Sequence, residues 1–305
     1  MTANTQPRAR LNLPVRGVAY ALASMMIFGV QDTLIKWLTA DYPLMQVVFM
    51  RSLLALVPVS LFVYFSGGPR ILRTRRPKTH FLRVSLGFIA MLSYYYALSK
   101  MPFADTVAIG FSGPLFMTAL SAPILAERVG IRRWIAVLVG FGGVVVMVQP
   151  GPGMLQSVSL LVVLSSLFYA FSMIISRHLS TTEASATMVF YSNLFHLTMA
   201  SLCMATRWRT PPLGDLALMA SVGLIAAFSQ FALMQAYRNA PVFVVSPIDY
   251  TQLIWATLLG YLVFGDLPGA NIAFGSAIVI GSGLYILFRE TRLKRAAVNR
   301  AEPRG

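Results

Sequence analysis

A single cysteine, Cys203, excludes a disulfide framework and any paired-thiol metal or redox centre in this 305-residue chain. Histidine is almost as scarce. His80, His178 and His196 stand in separate segments and leave no ligand set for a zinc site. Charge is scarce as well: 11% of residues are charged and 57% are hydrophobic, against about 25% charged in a soluble domain. So little polar surface cannot cover a water-soluble core. No HExxH or GxSxG set occurs, which argues against an intramembrane enzyme. No ATP-binding motif and no separate output domain are present, which argues against a pump and against a membrane sensor or scaffold. Gly140, Gly142 and Gly143 lack the preceding strand that a phosphate loop needs, so no cofactor is expected.

What the chain does contain is apolar runs of about 20 residues, each long enough for a helix to cross a hydrocarbon core of about 30 Å. They lack the alternation of a barrel strand. The runs cover Gly17–Leu38, Leu44–Phe65, Phe81–Leu98, Ala104–Leu125 and Trp134–Gln149, then Leu155–Ile175, Ala184–Thr206, Leu216–Tyr237, Val242–Phe264 and Gly269–Phe288. The first is too long for a signal-peptide core and is read as a retained helix. Short Pro- or Gly-marked connections separate the runs. The net charge of +15 sits in tails and loops, a topology signal and not a nucleic-acid footprint. With the N-terminus inside, every Lys and Arg except Lys36, Arg51, Lys100, Arg207 and Arg209 falls on the inner side. This asymmetry predicts a bacterial-type inner-membrane protein with both termini cytoplasmic. Residues 1–14 and 290–305 read as mobile tails near anionic headgroups.

The two halves of the chain resemble each other. A shift of 139 residues places Ala97 on Ala236, Pro102 on Pro241, Thr118 on Thr257, Glu127 on Asp266 and Gly142 on Gly281. A shift of 141 places Ser24 on Ser165, Phe28 on Tyr169 and Lys36 on Arg177. Five spans per half make the second half enter from the opposite side, an inverted repeat of the kind secondary transporters use. The fold expected is therefore an all-α membrane protein, with ten transmembrane helices as two inverted five-helix repeats, residues 15–150 and 151–289, around a central cavity.

These residues carry a family resemblance over nearly the whole chain. Tyr96-Ala97-Leu98-Ser99 through Pro102, Pro114 and Phe116, Ala126-Glu127-Arg128 and Gly140–Gly143 resemble the EamA-type repeat of the drug/metabolite transporter superfamily. So do Phe28-Gly29 to Lys36, Arg51-Ser52-Leu53-Leu54-Ala55, and the counterpart series from Ala236 through Pro247, Gly265-Asp266 and Gly275 to Gly281. Phe28 and Asp266 depart from the usual Trp and Glu. The resemblance implies a secondary carrier of small metabolites, expected to export aromatic or neutral amino acids by rocking its halves. Import or exchange of a vitamin or nucleotide-like metabolite is the alternative. The expected partners are a small-molecule substrate and the lipid bilayer, with no nucleic acid; monomer and homo-oligomer stay open.

Several residues are candidates for the chemistry. Pro114, beside Ser112 and Gly113, and Pro247, beside Ser246, Asp249, Tyr250 and Gln252, interrupt corresponding spans, where freed carbonyls line a site or merely kink the helix. Charges at lipid depth need a partner or a wet cavity. Asp32 and Lys36 lie four apart, ready to pair, and Arg51 comes to a similar depth. The trio reads as a zwitterion site or as a structural ion pair. Asp249 has no partner in its own helix and is a candidate for a proton, a substrate amine or a local hydrogen bond. Gln31, Tyr95, Tyr169, Gln230 and Trp255 complete the substrate-binding candidates, with Asp249, Lys36 and Pro247 assigned to coupling or gating. The pairs Ala136/Gly140 and Ala277/Gly281 are expected to permit close helix packing.

Overall fold

A computed structural model describes residues 15–125, 130–149, 151, 154–204 and 207–301. The first fourteen residues and the Ala126-Glu127-Arg128 motif lie outside the described residues. The helices are α1 (Val15–Asp41), α2 (Leu44–Phe65), α3 (Pro77–Leu98), α4 (Phe103–Gly110), α5 (Gly113–Leu125), α6 (Ile131–Val148) and α7 (Met154–Leu179). They continue as α8 (Ser185–Met204), α9 (Leu213–Asn239), α10 (Val242–Asp249), α11 (Gln252–Leu259) and α12 (Ala270–Ala301). A 3-10 turn spans Pro69–Leu72 and a π turn spans Gly260–Phe264.

Among the described residues, eight spans are long and apolar enough to cross a bilayer, with α4 and α5 together counting as one. Adding α8 and the α10–α11 segment gives ten transmembrane helices. Proline starts several of them: Pro43, Pro102, Pro212 and Pro241 occupy the cap positions of α2, α4, α9 and α10. There the missing N–H costs no helical bond.

The packing repeats across the two halves. In span terms, α1 against α9 has its counterpart in α7 against α3, and α2 against α9 in α8 against α3. The contacts of α1 with α11 are matched by those of α7 with α4 and α5. The pairs α2–α8, α6–α12 and α4–α11 map onto themselves. Exchanging the halves therefore preserves the contact pattern, as two inverted five-helix repeats require. The face of the bilayer where α1 begins is called the tail face below; the α1–α2 turn lies at the far face.

The fourth and ninth spans, in which Pro114 and Pro247 were read as interruptions, are each broken into two helices. Phe111–Ser112 forms a turn between α4 and α5, and Tyr250–Thr251 one between α10 and α11. The two breaks are related by the same shift of 139 residues that relates the sequences. Pro114 explains the first: it has no N–H for the Gly110 carbonyl, which accepts instead from Ser166 Oγ at 3.2 Å. The helix of α12 runs on to Ala301, so the segment after Arg289 begins as helix. No Gly or Pro follows Gly283 until Pro303, and Leu, Lys, Arg and Ala favour the helix. Of the glycines expected to allow close α6–α12 packing, Gly140 does so, since a Cβ there would lie 2.6 Å from Ser282 Oγ, whereas one on Gly281 would meet nothing within 4 Å. Gly143 and Gly275 add a second close approach, a Cβ on Gly275 lying 2.6 Å from the Gly143 carbonyl.

Candidate functional site

The interior holds two polar groups, one toward each face, joined through the two broken helices. The far-face group hangs from α1, α2 and α3. Tyr94 donates to Asp32 Oδ2 at 3.1 Å, and Gln31 Nε2 donates to Tyr95 Oη at 3.3 Å. The Arg51 guanidinium lies 5.9 Å from the Tyr95 ring centroid, and its Nη1 reaches Met91 Sδ at 3.5 Å. Asp32, Gln31 and Tyr95 are buried. The local sequence explains the arrangement: consecutive tyrosines on α3 point about 100° apart, so Tyr94 and Tyr95 turn inward and Tyr96 is left exposed.

The structure brings Asp32 and Arg51 of the expected trio together and groups Gln31, Tyr94, Tyr95 and Met91 with them. It does not bring in Lys36. Lys36 Nζ donates to the carbonyls of Leu98, at 3.1 Å, and Met101, and it sits 5.2 Å over the Phe264 ring. Among the described residues no ion pair joins Asp32 and Lys36. The C-terminal carbonyls of α3 are the nearer attraction for a cation. Lys36 therefore ties α1 to the end of α3 at the far-face mouth, near Asp105 and Asp266.

The second group lies toward the tail face, on α7, α9 and α10. Asp249 ends α10, about 10 Å along the helix from Val242 at 1.5 Å per residue. Its Oδ1 is buried without a hydrogen-bond partner. Tyr169, Tyr237 and Tyr250 are all within electrostatic reach of this carboxylate, and Tyr237 is within hydrogen-bonding reach of Ser246. Tyr169 stands beside Gly113, where a Cβ would lie 3.9 Å from its ring, yet the residue is 48% exposed. Gln230 and Tyr237, two turns apart on one stripe of α9, are exposed on the same side.

The breaks connect these groups. Phe111 and Tyr250, corresponding residues of the two turns, pack ring against ring at a tilt of 43° with centroids 5.0 Å apart. Tyr250 reaches on to α12, where a Cβ on Gly283 would fall 1.9 Å from its hydroxyl. Ser112 is fully buried with its Oγ unpartnered, and Trp255 Nε1 is likewise buried and unpartnered. Pro114 opens α5 and its carbonyl accepts from Thr118 Oγ1 at 2.9 Å. Pro247 lies inside α10, two residues before Asp249, and Gln252 begins α11 half-buried. Tyr237 went unnoticed in the sequence because it sits near a helix end; its stripe position seven residues from Gln230 was the available signal. Among the described residues, no group of three or more His, Cys, Asp and Glu is close enough to hold a metal.

The unpartnered atoms define what the site can bind. Gln31 Oε1 and Asp249 Oδ1 accept, Trp255 Nε1 and Arg51 Nε donate, and Ser112 Oγ does either. Buried polar groups without partners are costly, and a polar ligand would relieve that cost. Aromatic faces lie between them.

Comparison with known proteins agrees with this architecture. A model of the EamA-like transporter family matches residues 15–149 and again 156–288. An S-adenosylmethionine uptake transporter of Rickettsia bellii is 29% identical over 90% of this chain and 94% of its own. The same transporter of Rickettsia prowazekii is 29% identical over 91% and 94%. A riboflavin transporter of Vibrio cholerae is 29% identical over 94% and 97%. A solved protein structure superposes with a TM-score of 0.63 at 16% identity, covering 89% of this chain and 96% of that one, a likeness of fold alone.

Proposed function

The chain belongs to the EamA-like transporter family, and from that premise we propose that it takes up a heteroaromatic metabolite of the adenosyl or flavin class by alternating access. It is a membrane transporter of small metabolites, driven by a gradient. The observation that carries the finer reading is the set of unpartnered donors and acceptors, Gln31 Oε1, Ser112 Oγ, Trp255 Nε1 and Asp249 Oδ1, spread among tyrosine faces. A planar heterocycle with ring nitrogens and hydroxyls uses such a set, by stacking on the rings while hydrogen-bonding at its edges. A small aliphatic amino acid leaves most of it unused. The relatives named for S-adenosylmethionine and riboflavin support the same class, and none of the three supports amino-acid export.

The tail face is the cytoplasmic face in this reading, which follows from the Lys and Arg excess there. In this reading Lys36, bonded to the Leu98 and Met101 carbonyls, ties α1 to the end of α3 on the outer side. Counterflow in proteoliposomes tests the substrate class. Accelerated exchange of labelled S-adenosylmethionine or riboflavin against the same unlabelled compound is expected, with none for aromatic or neutral amino acids. Exchange of amino acids alone would return the protein to the export reading.

A further inference from the structure

A groove of about 340 Å³ runs between α6 and α12. Ile135 and Val139 of α6 form one wall and Tyr285 of α12 the other, with Gly281 at the floor. A Cβ on Gly281 would meet nothing within 4 Å, so this glycine keeps the groove deep. The groove is on the bilayer side of the bundle. α6 buries Val137, Gly140, Val144 and Met147 in the core and leaves Ile135, Leu138, Val139 and Val145 exposed on its other side. α6 starts from the tail face and α12 runs toward it, so the groove lies in the tail-face half of the membrane. From Arg132 to Val139 it reaches about 10 Å along α6. Arg132 is the charged residue of the lining and is exposed, and among the described residues no carboxylate pairs with it. Arg289 follows Tyr285 by one turn on the same stripe of α12.

The inverted repeat places an equivalent position at the far face. The shift of 139 residues carries Arg132 to Asn271 and Ala136 to Gly275, at the other end of the same helix pair. There Asn271 donates to the Met147 carbonyl at 3.2 Å, and a Cβ on Gly275 would lie 2.6 Å from the Gly143 carbonyl. That end offers a satisfied amide and no cation, so symmetric packing alone does not demand an arginine at the tail face. A guanidinium at headgroup level above an apolar groove matches an anionic phospholipid, whose phosphate pairs with arginine while an acyl chain lies along the helices. We propose that the α6–α12 groove binds an anionic phospholipid of the tail-face leaflet, with its phosphate on Arg132 and an acyl chain over Gly281. Because α6 and α12 belong to different repeats, the lipid bridges the two halves. The site is independent of which metabolite the carrier moves.

Native mass spectrometry of the full chain, released from micelles holding equal phosphatidylglycerol and phosphatidylcholine, tests the site. The native protein is expected to retain phosphatidylglycerol with a preference of about tenfold, ~1.4 kcal/mol. Arg132→Gln is expected to lose the preference, and Gly281→Leu, which fills the floor, to lose the retained lipid. Arg75→Gln removes the same charge from an exposed tail-face loop and is expected to keep both. Equal retention of the two lipids by the native protein overturns the proposal, as does a preference that survives Arg132→Gln. A preference lost in Arg75→Gln moves the headgroup to the cavity lined by Arg70, Arg73, Thr74 and Arg75, and refutes the groove. Retention that survives Gly281→Leu in folded protein refutes the acyl channel. A lipid-free dimer that Gly281→Leu dissociates gives the groove to a second copy of the chain and refutes the lipid site. Melting temperatures without added lipid report folding; should Gly281→Leu fail to fold, the exposed Arg132→Gln decides alone.

Discussion

Tyr250 shows how much of the site rests on an absent methyl group. Its hydroxyl occupies the space over Gly283 that a side chain on α12 would fill. Gly283→Ala is therefore expected to push Tyr250 off its contact with Phe111 and lower substrate affinity by about tenfold, the equivalent of ~1.4 kcal/mol. Gly281→Ala is the matched control, because nothing lies within 4 Å of a Cβ there. Both changes raise helix propensity, by ~0.5–1 kcal/mol, so thermal stability does not account for a difference between them in an exchange assay. Equal exchange rates in the two variants would remove Tyr250 from the site. At this scale the sequence revealed composition better than position. Asp249 and the tyrosines stand out as polar residues in apolar runs. That Lys36 would turn from Asp32 to the carbonyls of Leu98 and Met101 was not legible, because the competing acceptors come from a helix 62 and 65 residues away.

Among elements, the connections form matched clamps. At the far face the α1–α2 turn is fastened to α8–α9: Tyr42 donates to Asp215 at 2.5 Å, and Gln46 accepts from the Arg209 backbone N–H at 3.0 Å. The first contact pushes the Tyr42 hydroxyl, outside the spans, up to about 12. At the tail face the α2–α3 segment is fastened to α7–α8, with Thr74 donating to Glu183 at 2.6 Å and Thr187 donating to the Ile71 carbonyl at 2.8 Å. These are equivalent places under exchange of the halves, and both clamps are closed in one state. Rigid rocking of whole halves would have to break them alternately. With both clamps closed on the α2–α8 side, motion is expected at the broken helices opposite. Cysteine pairs joined in a Cys203→Ser background check this. A Thr74→Cys/Glu183→Cys link is expected to leave exchange intact, whereas Lys36→Cys/Met101→Cys joined by a bis-maleimide is expected to abolish it. Loss of exchange in both would restore rigid rocking. The periodic elements were readable because lipid demands continuous apolar helices. The breaks were only half readable: Pro114 and Pro247 marked the spans, but they do not superpose under the repeat. The turns at Phe111–Ser112 and Tyr250–Thr251 do, so their position is set by packing symmetry and not by proline alone.

For the whole molecule the orientation in the bilayer remains the consequential prediction, since it fixes on which side Lys36 ties α1 to α3. Arg70, Arg73, Arg75, Arg76 and Lys78 cluster in one exposed loop of the tail face, while the far face keeps mainly Lys100, Arg207 and Arg209 near its surface. Positive charge near a span resists translocation, so the richer side stays in the cytoplasm. A charged loop of this kind is also favoured beside the anionic inner leaflet, at about 1 kcal/mol per basic residue. The chain offers a clean test because Cys203 is its one cysteine. In a Cys203→Ser background, Arg207→Cys at the far face is expected to react with a membrane-impermeant maleimide in intact spheroplasts. Arg75→Cys at the tail face reacts only after lysis. Both positions are exposed, so access and not burial decides labelling. The reverse pattern would invert the molecule and put Lys36 and the α1–α2 turn on the cytoplasmic side.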